Sequence, residues 1–78
     1  MDTKLSIDKL AIHTIEECAE LTHIIVKSLR FGWFNYHPNR EDKIPNIINI
    51  LKEIKDVKEC ITLLESACTD ILANSNNE

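Results

Sequence analysis

Residues 47–72 read IINILKEIKDVKECITLLESACTDIL, and the apolar side chains of that run recur at threes and fours. Ile47, Ile50, Ile54, Val57, Ile61, Leu64, Cys68 and Leu72 fall along one side of a helix with 3.6 residues per turn, a period that no strand shares. The pattern predicts a long amphipathic helix that begins between Glu41 and Pro45, where a proline suits the first turn, and continues to about Ala73. The polar tail from Asn74 to Glu78 is expected to fray.

Upstream lies a second run of the same kind. It opens near Ser6, with Asp8 in its first turn, and reaches about Phe31. Its apolar row is Ile7, Ala11, Ile15, Cys18, Ile25 and Leu29, with Thr22 in the one polar slot. Gly32 follows as a helix stop. Between the helices, residues 32–40 read GWFNYHPNR, which has neither period and predicts a loop. Trp33, Phe34 and Tyr36, with Phe31 just before them, are all the aromatics in the chain.

The fold class is therefore all-α: one domain over residues 1–78, a hairpin of two long helices. A lone hairpin leaves one side of each helix wet. Wide apolar faces imply that the chain partners itself, as a homodimer or a dimer of dimers, most simply as two hairpins in a four-helix bundle. A three-helix fold broken near Pro45 is the alternative.

Composition supports helices, with 44% hydrophobic residues among 78 and only one Gly and two Pro. A net charge of -4 without a run of Lys or Arg argues against nucleic acid or an anionic membrane as partner. No stretch approaches the roughly 20 apolar residues of a membrane span. Cys18, Cys60 and Cys68 are an odd number with no CxxC pair, and Met1-Asp2-Thr3-Lys4 does not resemble a leader. The expected location is the cytoplasm, with the cysteines packed as small apolar residues.

Four acids stand among apolar neighbours. Within one or two turns of Glu17 lie Leu10, His13, Leu21 and Ile24, and Glu20 follows three residues on. Glu53 has Ile50, Val57 and Cys60 within two turns, and Asp56 follows three residues on. Each helix thus offers an i, i+3 acid pair at the margin of its core-facing row. A carboxylate taken out of water costs several kcal/mol unless it is paired or binds a metal. Lys52 and Lys55 are immediate sequence neighbours of Glu53 and Asp56 and are expected to point elsewhere. A hard divalent cation such as Mg²⁺, with Mn²⁺ as substitute, would relieve the repulsion; surface ion pairs are the competing reading.

Those acids also form a pattern. Glu16-Glu17-Cys18-Ala19-Glu20 reads EExxE, and Glu53-Ile54-Lys55-Asp56 reads ExxD. In that order on two helices they resemble the signature of the all-α nucleoside triphosphate pyrophosphatases, the MazG-like and dimeric dUTPase group. EECAEL at 16–21, KSLRFG at 27–32 and Asn39-Arg40-Glu41 resemble short MazG-like members, several of them encoded by phages and others bacterial. The resemblance covers about residues 13–64. It implies hydrolysis of a nucleoside triphosphate between the α and β phosphates, yielding a monophosphate and pyrophosphate. It also implies Glu17, Glu20, Glu53 and Asp56 as metal ligands, and Glu16 as the acid that orients or deprotonates the attacking water, with Glu17 beside it in catalysis. Lys27 and Arg30 would meet the phosphates, Trp33, Phe34 or Tyr36 would stack on the base, and Asn39 and Arg40 would complete the substrate contacts. Lys55 inside ExxD and Pro45 ahead of it depart from the group.

His13, His23 and His37 share no metal spacing with the cysteines and read as surface or rim residues. Two further functions fit the same residues: a protein that holds a nucleotide or nucleotide-derived signal without cleaving it, and a helical module that grips a protein partner.

Overall fold

The computed structural model describes residues 3–36 and 43–76, and side chains over 7–36 and 43–75. Two helices account for most of this: α1 spans Thr3–Phe31 and α2 spans Asn46–Asn76. They pack along each other in a rod of 55 × 19 × 16 Å. Among the described residues there is no strand and no third helix, so Pro45 ends the connector rather than breaking a helix.

Helix ends differ from the expected ones. α1 starts at Thr3, before Ser6, and its first turn carries no acid. α2 starts at Asn46 and runs through Asn76, beyond the expected end at Ala73. Pro45 sits just outside α2, where its carbonyl accepts from Ile48 N at 3.1 Å and Asn49 N at 3.3 Å. A proline there gives up no donor that the helix needs.

Gly32 ends α1 with φ +111°, a conformation that side chains disfavour, and its N–H donates to Ser28 O at 2.8 Å. The connector then caps α2. Asn46 N donates to Asn35 O at 2.7 Å, and Ile47 N donates to Trp33 O at 2.8 Å. The Asn46 side chain closes the turn from the other direction, donating to Gly32 O at 3.1 Å. Asn35 Nδ2 donates to Phe31 O at 3.1 Å, and its Oδ1 accepts from Tyr36 N at 2.9 Å. The first N–H groups of α2 are thereby satisfied by loop carbonyls.

The buried seam overlaps the row that the apolar residues suggest and is rotated from it. On α1 it runs through Ile7, Leu10, Thr14, Glu17, Leu21, Ile24 and Ser28, an alternation of threes and fours, with Ala11, Ile25 and Lys27 half-buried beside it. On α2 it runs through Ile50, Glu53, Val57, Cys60, Leu64, Ala67 and Ile71, with Asn46, Ile47 and Ile54 half-buried beside it, so Ile47, Ile50, Ile54, Val57 and Leu64 of the expected row are drawn away from solvent. Among the described residues, Ile50, Val57 and Cys60 form the buried apolar core. Of the expected row on α1, Ile15 is 68% exposed and Leu29 70%, and Cys18 is exposed as well. On α2, Leu72 is 63% exposed, and Ile61 and Cys68 are open too. Each helix carries two heptad rows side by side, about 90° apart at 100° per residue. A single partner helix covers only one of them.

Candidate functional site

Glu17 and Glu53 both belong to the seam, one from each helix, rather than to its margin. Glu20 is exposed one turn beyond Glu17 and reaches the same point. Carboxylate oxygens of Glu17, Glu20 and Glu53 lie within 4.8 Å of one another.

The electrostatics of the trio follow from this placement. Burial between the helices pushes the Glu53 carboxyl up to about 8. Hydrogen bonds with Glu17 and Glu20, and then the negative charge of those two neighbours, act in the same direction. Two carboxylates can share a hydrogen bond only through a proton kept by one of them. With all of them ionised, Glu17 Oε2 and Glu53 Oε2 are shut off from solvent and have no partner among the described residues. Cys60, two turns along α2 from Glu53, has its thiol pushed up as well, by burial first and then by Glu17, Asp56, Cys18 and Glu59.

Asp56 lies outside the trio, on an exposed position one turn along α2. It lines a groove of about 430 Å³ with Ile24, Lys27, Asn49, Lys52 and Glu53. Glu53 is thus shared between the carboxylate cluster and the groove. Lys52 faces this groove, contrary to the expectation that its place next to Glu53 in sequence turns it elsewhere. Positions 49, 52, 53 and 56 are neighbours at threes and fours on one flank of α2, and a long side chain spans the remaining angle. On the other flank of Glu53, a second groove is lined by Ala19, Glu20, His23 and Ile24.

The remaining expected site residues are placed as follows. Glu16 is exposed and does not join the trio. The Arg30 guanidinium lies over the Phe31 ring, 5.0 Å from its centroid, and does not line the Lys27 groove. Trp33 and Tyr36 are about two-fifths exposed and Phe34 is 77% exposed in the single hairpin. Asn39, Arg40 and His37 lie outside the described residues. Cys18 and Cys68 are exposed rather than packed, and Cys60 alone is buried. Asn49 was not singled out by sequence reasoning, although its i, i+4 spacing to Glu53 carried the signal.

Three carboxylates from two helices, two of them with shielded oxygens that lack a donor, match the donor set of a hard divalent cation. The oxygens of such an ion span about 4.2 Å across the sphere, on the scale of the 4.8 Å within which the oxygens of the trio lie. Comparison with protein-family models, curated proteins and solved structures found no match. No helix among the described residues is long and apolar enough to cross a membrane.

Proposed function

We propose that this chain is a Mg²⁺-dependent nucleoside triphosphate pyrophosphohydrolase of the MazG-like kind. The observation that carries the reading is the pair of shielded, unpartnered oxygens on Glu17 and Glu53, with Glu20 beside them. A seam of two helices gains nothing from facing acids; apolar residues at positions 17 and 53 would pack without cost. Their presence makes sense when a cation completes the site.

Glu17, Glu20 and Glu53 would hold the ion, with Asp56 entering from the groove side. A cation held there would supply neutralisation of charge on phosphate oxygens and an activated water. Glu53 would serve as a ligand only in its ionised form. Lys27, on the groove wall, meets phosphate oxygens directly. The exposed rings of Trp33, Phe34 and Tyr36 offer stacking surface for a base at the loop end of the rod.

Self-association belongs to the same reading. The chain exposes 6173 Å², about 1,300 Å² more than the roughly 4,900 Å² expected of a folded 9.0 kDa monomer. That excess exceeds the about 800 Å² per partner of a standard interface. The second heptad row, with Ile15 and Leu29 on α1 and Ile61 and Leu72 on α2, supplies the apolar face. A second hairpin laid on this row gives a four-helix bundle. Sedimentation should report a dimer or a dimer of dimers, and a Leu29→Glu change should shift it toward monomer.

One observation favours a second reading. Glu16, the acid that the resemblance assigns to the attacking water, is exposed and outside the trio. A protein that holds a nucleotide without cleaving it needs the trio but not Glu16. Incubation with each nucleoside triphosphate and Mg²⁺ separates the two. Release of pyrophosphate, lost in Glu53→Gln, supports hydrolysis; tight binding with intact ligand supports sequestration and overturns the enzyme.

A further inference from the structure

The two flanks of the seam differ in chemistry. Lys27 precedes the seam residue Ser28 on α1, and Asn49, Lys52 and Asp56 precede Ile50, Glu53 and Val57 on α2; all four line one groove. Positions one before the seam therefore share one face of the hairpin, and positions one after it share the other. The first face is polar and carries Glu20, His23 and the groove. The second carries Ile15, Cys18, Ile25 and Leu29 on α1, and Leu51, Ile54, Ile61 and Leu72 on α2. Between Ile47 and Leu72 two charges interrupt it, Lys58 and Glu65, and between Ala11 and Leu29 the α1 row has none. Those two charges are of opposite sign and flank Ile61, the midpoint of Asn46–Asn76.

We propose that a second copy of the chain seats on this apolar face with its loop at the opposite end of the rod, in the register that sets Lys58 of each copy against Glu65 of the other. The two-fold axis then passes at the level of Ile61 on α2 and of Glu17 on α1, the midpoint of Thr3–Phe31, so the two rods overlap along their full length. α2 lies along α2 of the second copy, which brings Leu51 to Leu72 and Ile61 to its own counterpart. With both loops at one end, α2 would instead lie along α1, whose row offers neither charge a partner, and both charges of each copy would lose water unpaired. Charge complementarity thus selects one of two packings that apolar burial alone leaves equal. Enough surface is available, since the chain exposes about 1,300 Å² more than a folded monomer of its mass, against about 800 Å² per partner in a standard interface. Glu20 and the groove lie on the far face, so the carboxylate cluster stays accessible in each copy. This arrangement rests on the self-association of the proposed pyrophosphohydrolase, but not on its metal chemistry.

Sedimentation equilibrium of the full chain tests this with two charge reversals. Lys58→Glu places acids at both positions and Glu65→Lys places bases at both, so each variant alone should self-associate at least about tenfold more weakly than the native chain. An equimolar mixture of the two variants pairs unlike charges at both contacts and should recover native affinity, as should the chain that carries both reversals. Circular dichroism of the same samples reports helix content. Where a single reversal lowers it, the mixture and the double reversal should restore helix together with association. Association that neither reversal changes, or that is weakened without recovery on mixing, overturns the opposite-end arrangement and leaves the dimer standing. A native chain that stays monomeric overturns both, while pyrophosphate release still decides the hydrolase reading separately.

Discussion

The loop end of the hairpin and the middle of its seam treat polar groups in opposite ways. Near the loop, Ser28 is buried to 1% exposure, and its hydroxyl donates to Ile24 O at 2.9 Å. Asn46 and Asn35 bond to backbone carbonyls across the turn, and the first donors of α2 find partners there. Three helical turns away, two glutamates face each other from the same seam with a shielded oxygen each, and the one hydrogen they can share is the proton that Glu53 retains up to about pH 8. The chain evidently has the means to satisfy a polar group that leaves solvent. Where it does not, the proposed cation would complete the shell.

The largest effect that can break this comparison is on turnover. Glu17→Gln or Glu53→Gln should lower pyrophosphate release by at least about 100-fold, because even residues that only support a metal ligand cost 10–100-fold when changed. Asp56→Asn, outside the trio, should cost less, about tenfold. Equal losses at 53 and 56 would place Asp56 in the cluster after all. Assays of initial rate at saturating Mg²⁺ decide between these.

Next comes a pH dependence with a defined sign. Glu53 is raised from an ordinary 4.5 to about 8, so its stabilising contribution to the metal-free protein is fully present below about 4.5 and is lost as pH rises through about 8. Thermal unfolding in chelator should therefore show a falling midpoint across that window. Glu53→Gln, which cannot ionise, should flatten the fall, and Mn²⁺ should offset it by binding only the native state. A flat profile in the native chain would mean that the trio is open to water.

Smaller effects should appear at the satisfied end. Asn46→Ala removes the bond to Gly32 O and should destabilise the fold by about 1–2 kcal/mol in urea, with Mn²⁺ affinity unchanged. Gly32→Ala should cost about 1 kcal/mol. A Cβ there meets Asn35 Cβ at 3.9 Å, an ordinary contact, so the cost arises from φ +111° alone. If Asn46→Ala weakened the cation as strongly as a trio variant, the two regions would not be independent.

Much of this architecture is legible in the chain itself. Threes and fours of apolar residues announce two helices, and Gly32 marks where the first one ends. What they do not announce is which of two heptad rows meets the other helix. Ile15, Cys18 and Leu29 make as good an apolar row as Leu10, Leu21 and Ile24, and the row that includes Glu17 looks the poorer of the two. Apolar content favours the first, yet packing within one hairpin selects the second and leaves Ile15, Cys18 and Leu29 exposed. Glu17 and Glu53 could be recognised as misplaced acids, but their seam position required the fold. Lys52 was misjudged because adjacency in sequence sets only the Cα direction, while four methylenes let the ammonium reach the neighbouring flank. The Asn35 and Asn46 cap could not be foreseen, since asparagine suits any loop.

The central claim is that the paired seam glutamates are completed by a cation. Calorimetric titration with Mn²⁺ near pH 7, repeated in buffers of different ionisation enthalpy, measures binding and proton release together. Saturable binding with about one proton released per ion, lost in Glu53→Gln, is the predicted result. Absence of binding, or binding that Glu53→Gln leaves intact, would contradict it.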